Sequence, residues 1–276
     1  MQTWFITGAS RGFGALITER ALAKGDQVVA AARNPKAVLD RFGDHPNLLA
    51  IALDVTDEAQ AVAAVDAAIT RFGRIDVLVN NAGFGLLGAV EEATAAEVEA
   101  IYRTNVFGLL TVTRAVLPHM RRERSGRILN FSSVGGYRAA AGFGIYCSAK
   151  FAVEGLSEAL HDELAPLGVH VTAIEPGYFR TDFLDSSSLT VSPARIADYD
   201  ASAGVVRQRA AEINNNQPGD PAKLADVLID FVTMANPPVR LPLGSDTIAA
   251  IEKKHAGDDA IIAAWRNVAT STDFPR

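Results

Sequence analysis

The stretch Thr3-Trp4-Phe5-Ile6-Thr7-Gly8-Ala9-Ser10-Arg11-Gly12-Phe13-Gly14 decides the fold. Its first five residues are rich in aromatic and β-branched side chains and read as a strand. Gly8, Gly12 and Gly14 then allow a tight turn. Leu16, Ile17 and Ala21 carry a helix that ends near Gly25. Such a turn is a cradle for a phosphate group: backbone without side chains approaches closely, and the helix N-terminus presents free amides and the positive end of its dipole. The spacing is G-x-x-x-G-x-G rather than G-x-G-x-x-G. Glycine serves any tight turn, so the position directly after a first strand gives this one its weight.

Working outward, short apolar strands alternate with longer amphipathic segments. Strands are expected at Thr3–Thr7, Gln27–Ala32, Leu49–Leu53, Asp76–Asn80, Arg127–Ser132, Val169–Glu175 and Val239–Leu243. Helices are expected from Asp57 to Phe72, from Ala96 to Arg122, around Tyr146 as far as Pro166, and from Pro221 to Met234, with a terminal helical stretch. Alternation of this kind predicts an α/β fold: one Rossmann-type, doubly wound parallel sheet of about seven strands with helices on both faces. With no repeat, linker or second core, residues 1–276 read as a single domain. Residues 184–217, rich in Ser, Asp and Asn, read as an irregular lid or surface excursion, and 218–276 as a C-terminal extension of the same domain.

Composition narrows the function. The chain has 276 residues, 49% of them hydrophobic and 21% charged, enough for a substantial core. A net charge of -6 and the lack of a basic stripe disfavour nucleic acid. No apolar run approaches the roughly 20 residues that span a bilayer, and the N-terminus does not resemble a signal peptide, so a soluble cytoplasmic protein is expected. One cysteine, Cys147, and five scattered histidines give no disulfide framework and no metal motif.

The end of the second strand bears on the choice of dinucleotide. NAD sites place an acid there for the ribose 2′-hydroxyl. Here the sequence is Ala30-Ala31-Ala32-Arg33, with no acid. Arg33 and Arg11 are suited to clamp a 2′-phosphate, unless both are ordinary surface residues. NADP(H) is therefore favoured over NAD(H).

The run Gly144-Ile145-Tyr146-Cys147-Ser148-Ala149-Lys150 carries the chemistry. Residues four apart share one helix face. An ammonium beside a phenol stabilises the ionised form, so the Tyr146 pKa is expected to fall from about 10 toward the working pH. A tyrosine tuned in this way exchanges a proton with a carbonyl or alcohol oxygen. Alone, a Tyr-x-x-x-Lys occurs by chance on many helices.

Four motifs coincide: Thr7-Gly8-x-x-x-Gly12-x-Gly14, Asn80-Asn81-Ala82-Gly83, Ser133 and Tyr146-x-x-x-Lys150. Together, over residues 3–182, they resemble the short-chain dehydrogenase/reductase family. Gly83–Gly88 and Tyr146–Leu156 look most like its hydroxysteroid and retinol dehydrogenase branch. The resemblance implies that Tyr146 is the acid/base, Ser133 holds the substrate oxygen, Lys150 binds the nicotinamide ribose, and Asn105 completes a tetrad by holding a relay water. It also implies a cofactor cradle of Gly8, Ser10, Arg11, Gly12, Phe13 and Gly14. Asp54 and Val55 would meet the adenine, Asn81, Ala82 and Gly83 the adenosine side, and Pro176, Gly177 and Thr181 the nicotinamide carboxamide. Taken singly, Asn105 or Asp54 would serve as a helix cap, and Ser133 as a strand-end hydroxyl. The family's usual Asp-Gly-Gly at the last strand is absent; Arg240-Leu241-Pro242-Leu243-Gly244-Ser245-Asp246 stands there, followed by about thirty more residues.

The expected activity is NADP(H)-dependent interconversion of a ketone or aldehyde and an alcohol, on an apolar small molecule. Phe84, Leu86, Leu87, Phe143, Phe179 and Phe183 flank the motifs and would form either an apolar pocket or core. Two rivals are a silent NADP(H)-sensing regulator, which would tend to lose the Tyr/Lys pair, and a sugar-nucleotide epimerase or dehydratase, which would have a larger C-terminal domain. The Asn105 and Tyr146 helices have apolar length to spare, and the resemblance implies that such helices pair across a two-fold axis, so a homodimer is expected, with a homotetramer left open.

Overall fold

A computed structural model describes residues 1–274. In chain order, β1 (Thr3–Thr7), α1 (Gly12–Ala23), β2 (Gln27–Ala32), α2 (Lys36–Phe42), β3 (Leu48–Ala52), α3 (Glu58–Phe72) and β4 (Val77–Asn80) form the first half. A short β5 (Gly85–Leu87) follows. Next comes a rod of α4 (Ala95–Tyr102), a π-helical turn (Arg103–Gly108) and α5 (Leu109–Glu123). Then come β6 (Gly126–Phe131), α6 (Val134–Tyr137), α7 (Gly144–Leu164), β7 (Val169–Pro176), β8 (Leu189–Val191), α8 (Val205–Ile213), α9 (Pro221–Phe231), β9 (Arg240–Leu243) and α10 (Ser245–Thr270).

Seven strands make one parallel sheet in the order β3-β2-β1-β4-β6-β7-β9. Crossover order reverses between β1 and β4, and ligands of such sheets bind at the carboxyl ends beside this switch point. Side chains alternate through β1: Trp4 and Ile6 pack with Ile17, Leu224 and Leu228 of α1 and α9. Phe5 points the other way, onto the layer holding Val65, Val112, Val116 and Leu164 of α3, α5 and α7. Every strand seen in the sequence is present, with no end shifted by more than one residue.

Local signals place the helices. Asp57 caps α3 by accepting from the Gln60 amide at 3.0 Å, and Thr94 with Glu97 forms a capping box on α4. The expected helix from Ala96 to Arg122 is one rod whose middle is widened by the π turn at Asn105. A row of buried polar groups crosses the sheet. The Asn80 amide donates to Thr113 of α5 and to Asn130 of β6 (2.9 Å each); Asn130 donates to Ser157 of α7 (3.0 Å), whose hydroxyl donates to the Val153 carbonyl (2.7 Å).

Residues 184–217, expected to be irregular, carry β8 and α8. β8 pairs in parallel with β5 as a separate two-stranded sheet, Gly85 opposite Leu189 and Leu87 opposite Val191. The last strand lies at the sheet edge although the Asp-Gly-Gly is absent, and α10 packs on β9 and α6. Among the described residues, no helix is long and apolar enough to cross a membrane, and no three His, Cys, Asp or Glu side chains are grouped to hold a metal.

Candidate active site

A cleft of about 770 Å³ runs along the carboxyl ends of the strands. At one end lies the glycine turn. Gly8 (φ +66°) and Gly12 (φ +55°) have left-handed backbone, which a side chain strains. Gly14 is required for a different reason: a Cβ there would stand 2.4 Å from the Gly8 carbonyl oxygen and 2.7 Å from the Asn81 amide nitrogen. Gly14 therefore lies behind the cradle rather than on it, while Gly8, Ser10, Arg11, Gly12 and Phe13 line the cleft. Phe13 packs between Phe131, tilted against it, and Phe179, edge to face, each 5.5 Å away between ring centres.

The turn is fastened to the end of β4. The Thr7 hydroxyl accepts from the amides of Asn81 and Ala82, both at 3.0 Å, and Asn81 donates its side-chain amide to the Thr7 carbonyl at 2.9 Å. Thr7, the first residue of the glycine motif, thus joins the two halves of the cradle. Arg33, Asp54, Val55, Asn81, Ala82 and Gly83 line the same part of the cleft. Asp54 does not cap α3, since Asp57 does. Its carboxylate closes a turn by accepting from the Thr56 amide (3.0 Å) and hydroxyl (2.8 Å). Arg11 donates to the Ser187 carbonyl at 2.5 Å, across the cleft mouth, and Arg33 is exposed with no ionic partner among the described residues.

At the other end Ser133, Tyr146 and Lys150 meet, with Pro176, Gly177 and Thr181 on the same wall. Ser133 leaves β6 in extended conformation and caps α6, its hydroxyl accepting from the Gly135 amide at 3.0 Å. Tyr146 and Lys150 lie one turn apart on α7, and the ammonium sits 5.8 Å from the phenol ring centre. Lys150 is buried and donates to the Phe131 carbonyl at 2.6 Å. Asn105 lies one layer back, outside the cleft lining. Its side chain exchanges two hydrogen bonds with the Phe84 backbone, at 3.1 and 2.9 Å, and its oxygen would lie 3.0 Å from a Cβ on Gly83. The π turn carries it there, a distortion often found at functional sites.

Electrostatics correct one expectation. The Tyr146 phenol is pushed up, not down: burial penalises the phenolate, and the Ser133 hydroxyl only partly opposes this. Burial instead lowers the Lys150 ammonium to about 8, with Glu154 opposing. In the chain by itself, desolvation is the largest influence on both groups.

The flanking apolar residues divide. Phe84, Phe143, Phe179 and Phe183 line the cleft, whereas Leu86 and Leu87 are buried. Tyr146 packs against Phe183 (5.5 Å between ring centres) and Phe143 (6.1 Å). Leu189 of β8 and Val206 and Ala210 of α8 complete this cluster. Arg138, Tyr178 and Leu184 also face the cleft and carried no sequence signal.

A parallel sheet in this order, a glycine cradle at its switch point and a Ser/Tyr/Lys cluster define a class of dinucleotide-dependent oxidoreductases. The family model for short chain dehydrogenases matches residues 2–191. The chain belongs to the short-chain dehydrogenase/reductase family. It is 37% identical to the oxidoreductase BOA17 of Botryotinia fuckeliana, over 98% of each chain. It is 36% identical to a 3-ketodihydrosphingosine reductase of Bacteroides thetaiotaomicron, over 88% of each. The crystal structure of a short-chain dehydrogenase from Streptomyces avermitilis matches with a TM-score of 0.90 and 38% identity, covering 99% of this chain and 100% of that one. Solved relatives include a serine dehydrogenase with NADP+ and a 3-ketoacyl-(acyl-carrier-protein) reductase from Brucella melitensis with NADH.

Proposed function

We propose that the chain is an NADP(H)-dependent oxidoreductase that interconverts a ketone or aldehyde and an alcohol on an apolar substrate. The observation that carries this is the meeting of Ser133, Tyr146 and Lys150 at one end of a cleft whose other end is a glycine cradle. The cradle fits a dinucleotide: side chains are missing where a pyrophosphate would approach, and the β2 end offers Arg33 rather than an acid.

In this reading the turn Gly8–Phe13 and Asn81–Gly83 hold the cofactor's phosphate and adenosine parts, Asp54 and Val55 border the adenine, and Arg11 and Arg33 take the 2′-phosphate. Gly14 keeps the turn close to β4. Pro176, Gly177 and Thr181 border the nicotinamide. When bound, the cofactor supplies or accepts the hydride. The chain supplies the proton and the field. Ser133 and Tyr146 hydrogen-bond the carbonyl oxygen and stabilise the charge that develops on it. Tyr146, kept protonated by burial, gives its phenolic proton to that oxygen, and the Lys150 ammonium stabilises the phenolate left behind. Asn105, bound to the Phe84 backbone, holds the π turn and Gly83 in place behind Lys150, where it is suited to a relay water. Phe143, Phe183, Leu184 and Leu189 give the substrate an apolar enclosure. Two of the named relatives, a 3-ketodihydrosphingosine reductase and a 3-ketoacyl-(acyl-carrier-protein) reductase, accord with a ketone substrate.

The test is NADPH oxidation across a panel of steroid, aryl and long-chain ketones. Tyr146→Phe is expected to lower turnover by about a hundred to ten-thousandfold with NADPH affinity nearly unchanged. Parent-level reduction by the Phe variant would remove Tyr146 from the mechanism.

A further inference from the structure

The wall facing Tyr146 is built by chain from 189–210, yet what holds it is on the far side. Glu92 follows β5, and its side chain is fully buried. One carboxylate oxygen accepts from the Ile196 amide at 3.0 Å; the other accepts from the Ala89 amide at 2.7 Å and from the Arg207 guanidinium. Ser192, fully buried, places its hydroxyl 2.9 Å from both the Glu92 carbonyl and a Glu97 carboxylate oxygen. Gly88 leaves room for this contact, since a Cβ there would lie 2.8 Å from that of Ser192. A buried carboxylate needs this many partners, because an unpaired one would be forced to take up a proton or draw in water.

The ion pair bears on the pocket through adjacent residues. Val206, next to Arg207, packs where Gly142 (φ +76°) has no side chain, a would-be Cβ lying 3.2 Å from it. Val206 and Ala210 then join the cluster of Phe143, which precedes α7 and meets Tyr146 edge to face. Leu189 is held in the same cluster by the β5–β8 pairing. By contrast, the turn at 185–188 reaches the glycine cradle only through Arg11 and Ser187, at the surface.

We propose that Glu92 and Arg207 are positioning residues for the substrate: their buried pair fixes β8 and α8 from behind and so sets the shape of the apolar wall opposite Tyr146. This rests on the carbonyl-reductase reading, which it extends to the origin of substrate choice. Neither residue lines the cleft, and neither touches the cofactor cradle.

Glu92→Gln, Arg207→Met and the double variant are compared with the parent by amide hydrogen exchange, NADPH titration and steady-state kinetics. Each single change is expected to speed exchange in residues 189–210 while β1, β4 and β6 stay protected. KM for a reduced ketone should rise about tenfold, with kcat within about twofold and NADPH affinity unchanged. The double variant lacks the pair altogether and is expected to keep both effects; recovery of parent exchange and KM would trace the single-variant effects to a buried unpaired charge and overturn the proposal. Unchanged exchange at 189–210 and an unchanged KM would overturn the proposal, as would equal loosening of the central strands or a parallel loss of NADPH affinity. Exchange needs no substrate, so an inactive parent would end the reductase reading while leaving this measurement to decide the anchoring. Where a single variant folds poorly, Ser192→Ala gives the same readouts with no buried charge disturbed; no selective effect there would also overturn it.

Discussion

The Lys150 ammonium donates to the backbone carbonyl of Phe131 at 2.6 Å, so the cation at the base of the cleft is tied to the end of β6. Burial lowers it from 10.5 to about 8. In the chain alone it loses its charge as pH rises through about 8. NADPH affinity, followed by nucleotide fluorescence, is therefore expected to weaken across that pH, and Lys150→Met to show no step there. The sign for stability is opposite. Between about 8 and 10.5 the folded chain holds fewer protons on this lysine than the unfolded chain, so its contribution to stability rises with pH in that window. Thermal unfolding of parent and Lys150→Met over that range checks it; parallel curves would show that Lys150 titrates as in a peptide.

Gly14→Ala is expected to cost stability by about 1–3 kcal/mol and to abolish tight NADPH binding, because the new methyl would meet the Gly8 carbonyl oxygen at 2.4 Å. Gly155→Ala, on α7 with nothing within 4 Å of the added carbon, is the control. It is expected to be neutral or to stabilise by about 0.5–1 kcal/mol. Urea unfolding and nucleotide titration distinguish the two.

Arg33→Ala is expected to raise KM for NADPH about tenfold or more and to leave KM for NADH within about twofold, since only the 2′-phosphate needs the guanidinium. Kinetics with both nucleotides decide this, and an equal change in the two would remove Arg33 from cofactor selection.

Glu175 shares a buried site with Glu154, and Arg240 reaches both, at 3.5 and 3.6 Å, while holding Glu158 at 2.7 Å. Burial, then the neighbouring Glu154, raise the Glu175 carboxyl from 4.5 to about 8, against the pull of Arg240. The folded chain thus holds a proton that the unfolded chain has lost. Stability from this group is complete below about 4.5 and disappears as pH rises through about 8. Melting temperature is expected to fall between about pH 5 and 8, and Glu175→Gln to flatten that slope. A parent curve level over this range would contradict the assignment.

Much of this was legible from residue type and spacing. The seven strands declared themselves because each is a short apolar run closed by turn residues. Tyr146 and Lys150 share a helix face that their spacing encodes directly, whereas Ser133 was marked by the family resemblance, a strand-end hydroxyl having no signal of its own. Three things were not. The β5–β8 pair joins residues about a hundred positions apart, in runs of three, too short to show a period. The π turn that places Asn105 has no signature in Arg103–Gly108. The direction of the Tyr146 shift depends on burial, which the spacing of residues on one helix does not report; the sequence showed the nearby Lys150 and not the desolvation that dominates.

The hydrogen-bonded row from Thr113 through Asn80 and Asn130 to Ser157 has a mechanical consequence. Because these bonds are directional, α7 cannot slide along the sheet without orphaning amides in a dry interior. On the proposed reading, the proton donor is in effect bolted to the floor, while the surface that would recognise substrate hangs from a separate bracket. Redesign for a new ketone would then begin at the bracket and leave Tyr146 and Lys150 untouched.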